Sequence, residues 1–165
     1  MDKKIEMQKI PLNEIDAVIF DFDGVLTDNK VLVSEDGTEA VFCNRSDGLA
    51  FDFLRTMKVP VYIMSTEANP VVRVRAKKLN IPVFNAVGNK GELLIKLCND
   101  KKYKLGKVMF VGNDINDIPA MLKVGISVAV ADSHKKVLEI ADIKLSKIGG
   151  SGIVREIIEE IISFT

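Results

Sequence analysis

Asp21 and Asp23 stand two residues apart in the run Asp21-Phe-Asp-Gly24, directly after the apolar run Ala17-Val-Ile-Phe20. A strand alternates its side chains, but a turn just past its end can bring two carboxylates to one point. One carboxylate can then attack phosphorus and take up the phosphoryl group. The other can protonate the leaving alcohol and later activate water. Gly24 permits the tight turn such a loop needs. The plainer reading is a turn after a strand, and the motif alone weighs the two evenly.

Other polar groups also follow apolar runs. Ser65 and Thr66 come after Val59-Pro-Val-Tyr-Ile-Met64, and Gly112-Asn-Asp-Ile-Asn-Asp117 comes after Lys107-Val-Met-Phe-Val111. In open parallel sheets, ligands bind beyond the carboxyl ends of the strands. Carboxylates gathered there repel one another and call for a cation. Oxygen ligands without histidine or cysteine suit Mg²⁺. Each group also has a plainer role. Asn116 or Asp117 can cap a helix from Ile118, with Pro119 in its first turn, and Ser65 can be an N-cap. Lys90 stands at the expected start of a helix, where a cation opposes the macrodipole. An anion nearby would account for it, although a solvated lysine is the commoner case. Arg45, Arg73 and Arg75 suit phosphate or carboxylate, or are solvated charges. His134, the single histidine, reads as a surface helix residue.

The elements that must hold these residues alternate. Strands are expected at 17–20, 59–64, 81–84, 107–111 and 126–130, with helices at 48–57, 70–79, 91–100, 117–123 and 134–140. A last helix over 153–162 gathers Ile153, Ile157, Ile158, Ile161 and Ile162 on one face. The pattern implies an α/β fold, a doubly wound parallel sheet covered on both faces, in one domain spanning 1–165. One segment breaks the rhythm. Lys30–Ser34 and Thr38–Phe42 flank Glu35-Asp-Gly37, a β-hairpin (about 30–43) with Asp-Gly at its turn. It is either a flap over the site or oligomer contact, or an ordinary edge hairpin.

The bulk numbers exclude several classes. The 165 residues are 47% hydrophobic and 28% charged, which is too apolar for a disordered chain. Lys plus Arg equals Asp plus Glu at 23 each, so no global field argues for nucleic acid or an anionic membrane. Cys43 and Cys98 form no CxxC pair and no disulfide framework. Met1–Ile10 contains no signal-peptide core, and no apolar run approaches a membrane span. The expectation is a cytoplasmic protein.

Taken in order, these pieces resemble the motifs of the haloacid dehalogenase superfamily. Asp21-Phe-Asp-Gly-Val-Leu-Thr27 looks like motif one, Ser65 after its strand like motif two, Lys90 like motif three, and Gly112–Asp117 like motif four. The resemblance covers almost the whole chain. It implies that Asp21 is the nucleophile and Asp23 the acid and base. Ser65 and Lys90 would hold the phosphoryl oxygens. Mg²⁺ would sit on the Asp21 side chain, the Asp23 carbonyl and a motif-four side chain, Asn113 or Asp114.

Within the superfamily the chain resembles a small capless branch that includes octulosonate 8-phosphate phosphatases. No cap insertion separates the motifs, a hairpin follows motif one, and Lys147-Ile-Gly-Gly-Ser-Gly-Ile-Val-Arg-Glu156 is similar to the branch's glycine-rich tail (about 147–165). The resemblance implies a homotetramer whose hairpin and tail close a neighbour's site, acting on a small phosphorylated sugar acid. Ser65-Thr-Glu67 departs from the Thr-Gly-Arg run of the octulosonate group. Glu67, with Thr66, Arg45, Arg75 and Lys78 as further substrate contacts, resembles the group acting on sialic-acid-like nonulosonate 9-phosphates, which is the favoured expectation. Motif four has Asn113 where aspartate is usual. That leaves an alternative: a protein of this fold that binds a sugar acid or a partner enzyme without efficient turnover.

Overall fold

The computed structural model describes residues 8–165. Of the Met1–Ile10 stretch read above, residues 1–7 lie outside the described residues. The centre is a six-stranded sheet built from β2 (Ala17–Phe20), β5 (Val61–Met64), β6 (Val83–Phe84), β7 (Val108–Gly112), β8 (Ile126–Ala129) and β9 (Ile143–Lys144), in the order β6-β5-β2-β7-β8-β9. Every pairing is parallel. The chain starts in the middle at β2, winds outward to β6, then returns to β7 and winds the other way. The switch point therefore lies between β2 and β7, where Phe20 pairs with Val111.

Both faces of the sheet are buried, which is why its strands read as continuous apolar runs. Val18, Phe20, Met109 and Val111 face one core, with Phe51 and Leu54 of α1 (Arg45–Thr56) and Ile153 and Val154 of α6 (Ile153–Glu156). Ala17, Ile19, Val108 and Phe110 face the other, with Leu94 and Leu97 of α3 (Lys90–Lys101) and Ala120 of α4 (Ile118–Met121). The remaining helices are α2 (Val71–Leu79) and α5 (Lys135–Ile140). No helix among the described residues is long and apolar enough to cross a membrane.

The structure differs from expectation at the margins. The hairpin pairs only β3 (Leu32–Val33) with β4 (Glu39–Ala40). Gly37, at φ +82°, closes its turn by donating to Ser34 O at 2.9 Å. The last helix is unbroken over 153–161 but is α-helical only in its first turn. After α6 the chain takes a π turn over Ile157–Ile161 and ends in β10 (Ile162–Ser163), parallel to β1 (Ile10–Pro11). The wider turn keeps Ile157, Ile161 and Ile162 all buried. These three residues pack on the chain's own core, whereas Ile148, earlier in the tail, is exposed.

Candidate active site

Asp21 follows directly on β2, and its backbone N–H donates to Val111 O at 2.9 Å, tying it to the neighbouring strand. Gly24 then turns the chain at φ +85°. A Cβ there would lie 2.1 Å from the Asn113 amide nitrogen, so the DxDG loop and the loop after β7 touch through the absent side chain. The glycine tail closes from behind. Gly150 N–H donates to Val25 O at 3.0 Å, and a Cβ on Gly149 would meet Gly24 O at 2.0 Å.

Lys90 opens α3, with Asn89 capping the helix by accepting from Gly91 N at 3.0 Å and Glu92 N at 3.2 Å. Its side chain is not solvated. The ammonium donates to Asp21 Oδ1 at 2.5 Å and to Asp117 Oδ1 at 2.6 Å, and Lys90 is 1% exposed. The anion that its position called for is thus a pair of carboxylates. Asp117 was read both as part of the acidic loop and as a possible cap. Its Oδ2 accepts from Asn113 N at 2.9 Å and Asp114 N at 3.2 Å while its other oxygen takes Lys90. The signal for that role was its place on the same acidic loop. The N-cap of the short turn is instead Asp114, whose Oδ1 accepts from Ile115 N at 2.7 Å. Asp114 lies next to the turn it caps, within reach of the first free N–H.

Two buried carboxylates share one ammonium. Burial, with the charge of Asp117, pushes Asp21 up to about 7 against the pull of Lys90. Burial works to lower Lys90, but Asp21 and Asp117 outweigh it and hold the ammonium above its ordinary value. Asp23 is raised by burial first, then by the charges of Glu67 and Glu39, with Lys90 opposing. A protonated Asp23 is the form that can give a proton to a leaving oxygen.

The fit to a metal can be tested at Asn113. Turned with its nitrogen inward, the amide donates to Asp23 O at 3.0 Å and to Asp21 Oδ2 at 2.9 Å. Turned with its oxygen inward, the amide faces the same two oxygens at those separations, an arrangement that a cation would stabilise while Asp21 is ionised. Adjacent ligands of an octahedral Mg²⁺ lie about 3 Å apart, given metal–oxygen distances of about 2.0–2.1 Å. The donors fit the ion. Because they are one carboxylate, one amide and one backbone carbonyl, no group of three acidic, histidine or cysteine side chains marks the place among the described residues.

A cavity of about 170 Å³ lies over this point, lined by Asp21, Asp23, Thr66, Glu67, Asn113 and Asp114 among the expected residues. Asn29 and Asn116 complete it and were not anticipated. Asn116 Nδ2 donates to Thr66 Oγ1 at 3.0 Å across the rim. Ser65 is buried beside the cavity, and its Oγ accepts from Glu67 N at 3.2 Å. It does not cap α2, because Asn69 does so by accepting from Val71 N at 2.9 Å. Three expected contacts stand apart from the cavity. Arg75 donates to Asn44 O at 3.1 Å, and Arg45 and Lys78 are exposed. Arg73 is exposed as well, and His134 is the exposed cap of α5. Cys43 and Cys98 are free.

Comparison with known proteins agrees with this geometry. A family model described as haloacid dehalogenase-like hydrolase matches residues 62–157. A 3-deoxy-D-manno-octulosonate 8-phosphate phosphatase of Escherichia coli is 34% identical over 148 residues, 87% of this chain and 77% of that protein. Among solved structures, a chain from Streptomyces avermitilis described as a HAD family hydrolase superposes with a TM-score of 0.90 at 42% identity, covering 93% of this chain and 94% of its own. The phosphatase of Moraxella catarrhalis with the same name as the E. coli relative, solved with magnesium, phosphate and KDO, gives 0.85 at 26% identity, with 88% and 84% covered.

Proposed function

The chain belongs to the haloacid dehalogenase-like hydrolases and is a phosphatase of their capless branch; from that premise we propose that it hydrolyses the terminal phosphomonoester of a 2-keto-3-deoxy sugar acid through an aspartyl-phosphate on Asp21. The observation that carries this is Asp21 itself. It is buried, with one oxygen on the Lys90 ammonium and the other facing Asn113 and the Asp23 carbonyl. Such a carboxylate is fixed in place, with an open cavity above it.

In the first step Asp21 attacks phosphorus, the ester P–O bond breaks, and Asp23 gives its proton to the departing alkoxide. In the second, Asp23 takes a proton from water as that water attacks the aspartyl-phosphate. This releases inorganic phosphate and restores Asp21. Lys90 and the Ser65 hydroxyl hold charge and orientation around the phosphoryl oxygens. Asp21, the Asp23 carbonyl and Asn113 would hold Mg²⁺, with Asp114 at the cavity edge. Bound there, the ion supplies positive charge against the transferring phosphoryl group.

The eight-carbon octulosonate 8-phosphate is the first substrate to test, because it is the one named for relatives at 34% identity. Glu67 supports a second reading, a nine-carbon nonulosonate 9-phosphate. With Arg75 on Asn44 and Lys78 in solvent, that reading now rests on Glu67 and its place beside Asp23 in the cavity. Phosphate release from both compounds with Mg²⁺ present, side by side, decides it. Asp21→Asn should lower release on either at least a thousandfold while leaving the circular dichroism spectrum unchanged. Retained turnover in that variant would refute the mechanism.

The hairpin supports the homotetramer. Val31, Leu32, Val33 and Phe42 are each more than half exposed, and an apolar patch of this kind calls for a partner surface. A monomer by light scattering would refute the assembly.

A further inference from the structure

We propose that Glu39, on the hairpin, is a specificity-determining residue that with Glu67 selects a polyhydroxylated leaving group; this rests on the phosphatase reading above. A second cavity, of about 200 Å³, lies beneath the hairpin and shares Asp23, Asn29 and Glu67 with the cavity over Asp21. The two therefore adjoin at the acid that must reach the leaving oxygen. A substrate whose phosphorus lies above Asp21 has its ester oxygen at Asp23. The chain beyond that oxygen passes into the second cavity.

The lining states what that chain must be. Glu39 and Glu67 both border the cavity, and a carboxylate only accepts hydrogen bonds. Hydroxyl groups donate to such pairs. Val31 and Val41 of the hairpin segment and Val71 and Val72 at the start of α2 line the cavity too, beside Phe22, Lys30 and Asn69, and their apolar surface suits the C–H faces of a polyol. One bond holds the arrangement in place. Asn69 Nδ2 donates to Glu39 Oε2 at 2.7 Å, tying the hairpin to the start of α2. The same Asn69 accepts from Val71 N at 2.9 Å through its other atom. The hairpin is thus a wall of its own chain's site, as well as bearing an exposed apolar patch.

Two variants separate the parts. Glu39→Gln keeps an acceptor for Asn69 and removes the charge. Asn69→Asp keeps the cap on Val71 and sets a carboxylate against Glu39, breaking the latch. Each is assayed with Mg²⁺ on octulosonate 8-phosphate and on p-nitrophenyl phosphate, whose aromatic leaving group carries no hydroxyl. Both variants should lower kcat/KM for the sugar acid about tenfold, mainly through KM, and leave p-nitrophenyl phosphate within twofold. Equal losses on both compounds would make Glu39 a structural residue and overturn the inference. So would no loss on either, or a wild type without preference for the polyol ester. Wild-type phosphate release from either compound tests the phosphatase reading separately, and its absence on both refutes that reading.

Discussion

Lys90 reaches from the first turn of α3 to Asp117, Nζ 2.6 Å from Oδ1, with both side chains sealed from solvent. Neither residue is part of the DxDG loop, yet together they fix the charge against which Asp21 sits. Asp117 also accepts two backbone N–H groups of the loop that carries Asn113. One carboxylate thereby joins the third and fourth motifs. Asp117→Ala would leave Lys90 half-paired and free that loop. The expected loss is about 3 kcal/mol in urea unfolding, with kcat down at least tenfold and KM little changed, since Asp117 is sealed from solvent and does not line the cavity. A rise in KM alone would place Asp117 in substrate binding instead.

If Asn113 is a ligand of the proposed Mg²⁺ site, its uncharged oxygen sets the strength of that site. Replacing its neutral oxygen with a charged one, Asn113→Asp, should lower the Mg²⁺ concentration for half-maximal rate about tenfold. It should also increase the rise in Tm caused by Mg²⁺. Without metal the same variant crowds a further carboxylate against Asp21, so EDTA should destabilise it more than the wild type. An unchanged Mg²⁺ dependence would put Asn113 outside the ligand set.

The sheet and most of the site were legible because their causes are local. Fully buried parallel strands have to be apolar runs, and the polar residues beyond their ends stand out against them. Lys90 was legible as an anomaly, a cation at a helix start, although its partners were not. Asp117 was obscured because capping and ion pairing ask for the same residue type at the same place. Arg75 and Lys78 were misplaced for a different reason: helical spacing gives a face, not what lies opposite it. Arg75 finds the Asn44 carbonyl before it finds the cavity. The two-residue β9 and β10 carry no periodic signal at all, and the π turn before β10 is a tertiary accommodation of buried isoleucines.

The tail carries a test of its own. Gly149 lies so close to the DxDG loop that a Cβ would meet Gly24 O at 2.0 Å and Thr27 O at 2.9 Å. Gly149→Ala should therefore push that loop out of place and lower kcat at least tenfold, with a loss of about 2 kcal/mol or more. Gly37→Ala is the matched control. Its φ of +82° is strained for alanine, but nothing lies within 4 Å. It should cost about 1 kcal/mol and leave kcat unchanged. Equal effects from both would mean that the tail yields to the added Cβ without displacing the DxDG loop.

Asp47 makes a prediction about pH. It sits in the first turn of α1, 2% exposed, and its Oδ1 accepts from Val154 N at 3.0 Å, so it caps α6 from another helix. Its Oδ2 has no partner. Burial pushes the carboxyl up to about 6, against the N–H groups of Val154 and Arg155 and the charges of Arg75 and Lys147. The unfolded chain titrates this group near the ordinary aspartate value of 3.8. As pH rises between the two values, the unfolded state releases the proton first, so stability falls through that window and is level above it. The full drop is about 3 kcal/mol at about 1.4 kcal/mol per pH unit. Asp47→Asn keeps an oxygen for Val154 and removes the charge. The variant should match the wild type in urea unfolding at pH 4 and exceed it by about 1–3 kcal/mol at pH 7.5. A variant less stable than the wild type at pH 7.5 would mean that the charge at the amino end of α6, facing Arg75 and Lys147, outweighs its burial.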